Sequence, residues 1–169
     1  MKYFHVSLKT YAENTTLWAE KRTSRDAVEN AWVDAQFDSA PRNTKVCRGT
    51  GRFAFDSIDA CLAYAAANKW SDAKYYEVEM GSDVVAAPWH LSTAAIRLRA
   101  DKSKVLEVAI EYWQPTMSWV AWEYISTSMT VIADVTNTVP TDITEVMAHR
   151  AAINIQIGDD AATAKSRWP

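Results

Sequence analysis

The sequence predicts an α+β fold, with strands and helices mixed and no regular strand–helix–strand alternation of the kind that builds a parallel sheet. Two observations carry that prediction. Short aromatic and β-branched runs such as "YFHVS", "AKYYEVEM" and "WEYIS" recur along the chain, the longest with a two-residue period. Between them lie alanine-rich or capped stretches with helical spacing, such as "SIDACLAYAAANK" and "SKVLEVAIEYW". The 169 residues are 49% hydrophobic and 23% charged, ordinary values for a globular chain. That length predicts a single domain over 1–169.

The elements follow in order. "YFHVSL" predicts a first strand, ended by the polar "KTYAEN". In "TSRDAVENAWVDAQF", Thr23 and Asp26 resemble a capping box, and Val28, Ala31, Trp32 and Ala35 make a helical stripe. "DSAPRNTKVCRGTG" reads as loop, broken by Pro41 and two glycines. "RFAF" predicts a second short strand, after which Asp56 or Ser57 caps a helix. "AKYYEVEM" places Tyr76, Val78 and Met80 on one strand face, and "SDVVAAPWHL" extends or pairs with it. "SKVLEVAIEYW" fits both periods, and its helix-forming residues favour a helix with Val105, Ala109, Tyr112 and Trp113 on one stripe. "WVAWEYIS" and "MTVIADV" read as two strands joined tightly around Ser126 to Ser128. Asp142 and Glu145 after Pro140 form a capping box that opens a last helix.

Composition excludes several functions. A net charge of -3 lacks the basic stripe that nucleic acid requires. The two cysteines, Cys47 and Cys61, are too few for a disulfide framework. The polar N-terminus is no signal peptide, and no apolar run approaches the roughly 20 residues of a membrane span, so the expectation is a cytoplasmic protein with no membrane partner. His5, His90 and His149 show no metal-ligand spacing with the cysteines, so no metal is expected. No phosphate-cradling glycine loop or Gly-x-Ser-x-Gly elbow is present. Eight tryptophans are unusual, and such rings line pockets or contact surfaces where one edge stays wet.

Three segments bear on chemistry. "YFHVS" places His5 in the first strand with Ser7 two residues on. "GRFAFDSIDACLAYA" sets Tyr64 among alanines, after Phe53 and Phe55. At about 100° per residue, Tyr64 falls at the border of core and solvent, where a ring either walls a cleft or snorkels its hydroxyl into water. "WEYIS" places Glu123 in a late strand, either facing the core with a partner or facing solvent with Trp122 and Tyr124 inward.

Taken in order, the histidine, tyrosine and glutamate resemble the histidine–tyrosine–glutamate branch of the ADP-ribosyltransferase superfamily, and small bacterial and phage proteins on that fold. The resemblance covers three short islands. It implies an ADP-ribosyltransferase-like fold of split mixed or antiparallel sheets with flanking helices. It also implies NAD as co-substrate, no metal, and a macromolecular acceptor, most simply a protein, so that the chain is a mono-ADP-ribosyltransferase of the phage or bacterial effector kind. By the same resemblance His5, Tyr64 and Glu123 are the catalytic residues, His5 bonding a ribose, Tyr64 stacking on nicotinamide and Glu123 supplying the carboxylate, while Ser7 and Phe53 join His5 and Tyr64 in binding the cofactor. The family places glycine after the histidine, and here Val6 stands there. Its Cβ narrows the approach but removes neither backbone hydrogen-bonding group.

Cleaving the bond between ribose and cationic nicotinamide builds positive charge on the sugar, which a fixed carboxylate stabilises. Two other readings stand beside this one. The first is a catalytically silent protein on the same scaffold that docks on and inhibits a protein partner through its tryptophans. The second is a phosphate-removing relative acting on RNA, which would need basic residues in its site.

Overall fold

The computed structural model describes residues 1–21 and 31–169. In chain order these form β1 (Tyr3–Ser7), β2 (Thr16–Trp18), α1 (Ala31–Ser39), β3 (Arg52–Ala54), α2 (Ile58–Ala67), β4 (Lys74–Met80), β5 (Val85–Pro88), α3 (Leu91–Arg97), α4 (Lys102–Trp113), β6 (Trp122–Ser126), β7 (Ser128–Asp134), a 3-10 turn (Thr136–Thr138) and α5 (Ile143–Arg167). The expected capping pair Thr23 and Asp26, with Val28, lies outside the described residues.

The strands form two antiparallel sheets, ordered β1-β4-β7-β2 and β3-β6-β5. The architecture is therefore α+β. One seam joins the sheets: Phe4 N–H donates to Phe55 O at 2.7 Å, and Phe55 N–H donates back to Phe4 O at 2.8 Å. This exchange turns the outer edge of β1 toward the β3 strand end.

Local chemistry accounts for the helix starts. The Ser57 side chain accepts from Ala60 N–H, Asp101 from Ser103 and Lys104 N–H, and Asp142 from Thr144 and Glu145 N–H, each satisfying donors that the first helical turn leaves open. On α4, Val105, Ala109 and Tyr112 are buried as the stripe predicts. On β4, Tyr76, Val78 and Met80 point into the core.

Two expectations are corrected. On α1 the buried residues are Val33, Asp34 and Phe37, while Ala31 and Ala35 are exposed; the helix presents the Val33–Phe37 face to the core, because an aromatic ring buries more apolar area than alanines. "SDVVAAPWHL" does not extend or pair with β4. Its strand, β5, pairs with β6 in the other sheet, and its end opens α3. Strands β6 and β7 are joined tightly through Thr127 but lie in different sheets. Asp83 pins that corner by accepting from the Ser126 hydroxyl and, at 2.6 Å, the Thr127 hydroxyl. A Cβ on Gly81 would come within 2.6 Å of Ser126 Oγ and 2.7 Å of Ser128 Oγ, so a side chain there would displace the hydroxyls that form the corner. Strand β2 was not expected from the sequence.

The main core lies between β3-β6-β5 and helices α1, α3 and α4, around Phe37, Leu91, Val108, Tyr112 and Ile125. A second cluster packs α2 against β1, through Val6, Phe55 and Cys61, with Ile153 of α5 against it. Among the described residues no helix is long and apolar enough to cross a membrane.

Candidate functional site

A cavity of about 630 Å³ opens where the two sheets meet, within the range of about 300–1,000 Å³ typical of small-molecule sites. His5, Ser7, Phe53, Tyr64 and Glu123 all line it. Residues from β1, β3, α2 and β6 thus reach a single concavity, which is how distant segments of a chain compose a binding site.

His5 enters from β1 and is fixed by a 2.8 Å hydrogen bond between Nδ1 and the Phe53 carbonyl. Burial lowers its pKa to about 4, with the Arg52 charge adding to the effect and the Phe53 carbonyl opposing it. The ring is therefore neutral at pH 7. A neutral imidazole that donates from Nδ1 keeps Nε2 as an acceptor. Ser7 is buried, and its hydroxyl oxygen accepts from Lys9 N–H at 3.0 Å.

Tyr64 is half-buried and belongs to an aromatic corner. Its ring centroid lies 5.6 Å from Phe55, 5.5 Å from Trp70 in an edge-on arrangement, and 6.1 Å from Trp89. All four rings line the cavity. Tyr64 therefore takes the cleft-wall alternative, and Trp70 and Trp89 account for part of the tryptophan excess.

Glu123 faces the core side, with 2% of its surface exposed. An isolated buried carboxylate would be very costly, and it has partners. The Tyr112 hydroxyl donates to Oε1 at 2.5 Å, and Arg48 Nη2 lies 3.6 Å from the same oxygen. Burial and the adjacent carboxylate push the Tyr112 pKa well up, so the phenol keeps its proton. Two buried acids hold the segment that feeds β6. Glu111 accepts from the backbone of Thr116 and Met117 and from Trp119 Nε1, and Asp160 accepts from the backbone of Val120 and Ala121.

Arg48 is the residue that sequence reasoning missed. It comes from the loop after α1, is 9% exposed, and bonds Asp34 through Nη1. Its guanidinium lies 5.4 Å from the Phe53 ring centroid and 5.6 Å from that of Tyr112, within cation–π reach. Burial alone would lower its pKa; the carboxylates of Glu123 and Asp34, with the Asp34 hydrogen bond, raise it, so the cation is firmly held. Asp38, one turn beyond Asp34, accepts from the backbone N–H of Arg48 and Gly49. The spacing of Asp34 and Asp38 beside the buried Phe37 was the available signal, hidden by assigning α1 the wrong face.

Lys9, Lys21, Arg52 and Arg150 line the cavity with Arg48, against the carboxylates of Glu20, Asp34 and Glu123. Lys9 and Arg52 pair with Glu20, so the lining holds a modest excess of cations although the chain carries a net charge of -3. Nε of Arg48 and Nε of Arg150 are buried without a hydrogen-bond partner among the described residues. Among those residues no group of three or more His, Cys, Asp or Glu side chains is placed to hold a metal ion.

In comparisons with known proteins, no family model, curated protein or solved structure matches the chain.

Proposed function

We propose that the chain adopts an ADP-ribosyltransferase-like fold, binds NAD in this cavity and transfers its ADP-ribose to a macromolecular acceptor. The single observation that carries the reading is the convergence of His5, Tyr64 and Glu123 on one cavity of suitable size. The lining also suits the ligand's parts. Aromatic walls accept planar rings, and basic side chains accept a diphosphate.

Each residue then has a task. The Tyr64 ring contacts nicotinamide, gaining about 0.5–2 kcal/mol from stacking on a cationic ring. Nε2 of His5 accepts a hydrogen bond from a ribose hydroxyl. Val6 replaces the family's glycine without loss of backbone function. Phe4 turns its N–H and C=O outward to Phe55, and strand alternation turns those of Val6 to the same open edge. Val6 itself lines the cavity. The bond from ribose C1′ to the nicotinamide nitrogen breaks, its electron pair leaving with a now neutral nicotinamide. Glu123 stabilises the positive charge that builds on the sugar. A nucleophile of the acceptor bonds to C1′ and gives up its proton to solvent.

One observation favours a second reading. Glu123 Oε1 is engaged by both Tyr112 and Arg48, and a carboxylate beside a cation stabilises positive charge less strongly. A catalytically silent protein that binds its ligand or docks on a protein partner fits that arrangement, and Trp18, 67% exposed, is a ring available for docking.

The test is NAD turnover. Wild-type protein should release nicotinamide from NAD, and Glu123→Gln should bind NAD with similar affinity while release falls about 100-fold or more. NAD binding with no nicotinamide release by wild type, even with a cell lysate as acceptor source, moves the conclusion to the silent protein. No NAD binding by wild type overturns both the activity and the ligand.

A further inference from the structure

The C-terminal helix α5 contributes a wall of the cavity that neither the sequence motif nor the aromatic corner explains. Arg150, Asn154 and Ile157 line the cavity, and Ile153 packs against the buried cluster of Val6, Phe55, Ala60, Cys61 and Ala65, which Tyr64, Trp70 and Trp89 also flank. Positions 150, 153, 154 and 157 follow the i, i+3, i+4, i+7 spacing of one helix face. The packing of Ile153 sets that face against the cluster that holds Phe55, one ring of the aromatic corner. A hydrogen bond of 2.9 Å between His149 Nδ1 and Asp59 Oδ1 holds the same part of α5 to α2, the helix that carries Tyr64.

Arg150 is the charged member of that face. It makes no ion pair among the described residues, and its Nε is buried without a hydrogen-bond partner. A buried guanidinium N–H left without an acceptor is costly, by about 1–3 kcal/mol. Arg150 nevertheless lines the cavity without a carboxylate partner among the described residues, and an anionic ligand there would supply the missing counter-charge. Arg48, whose charge is already shared with Asp34 and Glu123, is a weaker candidate for the same task. Across the cavity, Thr93 of α3 adds a hydroxyl to the lining. The Ser92 hydroxyl already donates to the Trp89 carbonyl.

The geometry points to an anion subsite on α5, in which Arg150, with Asn154 and Thr93, holds a phosphate group of a ligand whose planar base sits in the corner of Phe55, Tyr64, Trp70 and Trp89. The ligand class is a nucleotide: an aromatic base and a phosphate ester held on adjoining walls. Applied to NAD, this rests on the reading above and assigns the diphosphate to Arg150 and the nicotinamide ring to the aromatic corner.

Titration calorimetry with four probes separates the parts: NAD, nicotinamide, AMP and inorganic pyrophosphate. For Arg150→Gln, loss of a charge-assisted contact should weaken NAD about 10–100-fold and leave nicotinamide unchanged, while Arg150→Lys should retain part of the affinity. Raising salt should weaken NAD binding to wild type and much less so to Arg150→Gln. Equal NAD affinity in wild type and Arg150→Gln overturns the subsite and leaves the NAD reading standing. Wild-type binding of AMP or pyrophosphate that Arg150→Gln abolishes, with no binding of NAD or nicotinamide, overturns the NAD reading and leaves the subsite standing. Binding of none of the four overturns both. If Arg150→Gln does not fold, Arg150→Lys and the salt dependence of wild type decide in its place. Wild-type affinity for NAD, AMP and pyrophosphate that salt leaves unchanged, and that Arg150→Lys matches, counts against the subsite.

Discussion

The hydroxyl of Tyr112 donates to Oε1 of Glu123 across 2.5 Å, tying the last turn of α4 to strand β6. Both residues are buried, and the phenol packs edge-on against Phe37 at 4.5 Å between centroids. Tyr112→Phe keeps the ring and removes the donor. It should lower stability by about 1–3 kcal/mol, because a buried carboxylate loses a hydrogen bond. Thermal unfolding reads this as a fall in Tm of several degrees, about 2–4 °C per kcal/mol at this chain length. An unchanged Tm would mean that the bond contributes nothing net.

Arg48 lies between two carboxylates from different elements, Asp34 of α1 and Glu123 of β6. Arg48→Met replaces the cation by a side chain of similar length and leaves both acids without it. Breaking a buried ion pair from one side costs about 3–5 kcal/mol, and urea unfolding should show a loss of that order. Adding Asp34→Asn to Arg48→Met should restore part of it, since the second change removes one of the stranded charges. Additive losses in the double variant would place the two residues in separate networks.

The pKa of His5, lowered to about 4, predicts an acid-side loss of stability. Between about pH 4 and the ordinary value of 6.5, the unfolded chain binds a proton that the folded chain does not, so stability rises with pH through that window. Burial is the main cause, Arg52 adds to it and the Phe53 carbonyl opposes it. The ceiling on the effect is about 3 kcal/mol, reduced because part of the ring faces the cavity. His90, also lowered by burial, acts in the same direction, so the test is a difference. The stability gap between pH 7 and pH 4.5 should shrink in His5→Gln relative to wild type. The same gap in both would mean that His5 titrates normally in the folded chain.

Much of the framework was legible because it rests on local signals. Ser57, Asp101 and Asp142 cap helices as short polar side chains do, and alternation in "KYYEVEM" names the buried face of β4. The residues around the cavity were legible in part, as positions on elements: His5 on a strand, Tyr64 at a helix border, Glu123 on a late strand. What their environments hold was not legible. Arg48 sits in a loop with no periodicity, and its partners lie 14 and 75 positions away. The split of β6 and β7 between two sheets depends on the Asp83 corner, and a tight link between two strands ordinarily signals a hairpin. The excess of cations in the lining was hidden because whole-chain charge does not say which charges the fold brings together.

Tyr64 separates a binding role from a packing role. Its ring touches three other aromatics but is only half-buried, so Tyr64→Ala removes less core area than truncating a fully buried ring, which costs about 3–5 kcal/mol for large aromatics. The remaining corner of Phe55, Trp70 and Trp89 stays packed through Phe55 and Trp89, 4.8 Å apart. The expected outcome is a fall in NAD affinity of about 5–30-fold, matching a cation–π and stacking contribution of about 1–2 kcal/mol, with a Tm loss of only a few degrees. Intrinsic fluorescence gives an independent reading. Trp70 and Trp89 line the cavity, so nicotinamide should quench wild-type emission, and quench Tyr64→Ala only at higher concentration. A large Tm loss with unchanged NAD affinity and unchanged quenching would assign the ring to packing alone. The cavity would then hold its ligand by the histidine and the basic wall without an aromatic platform at Tyr64.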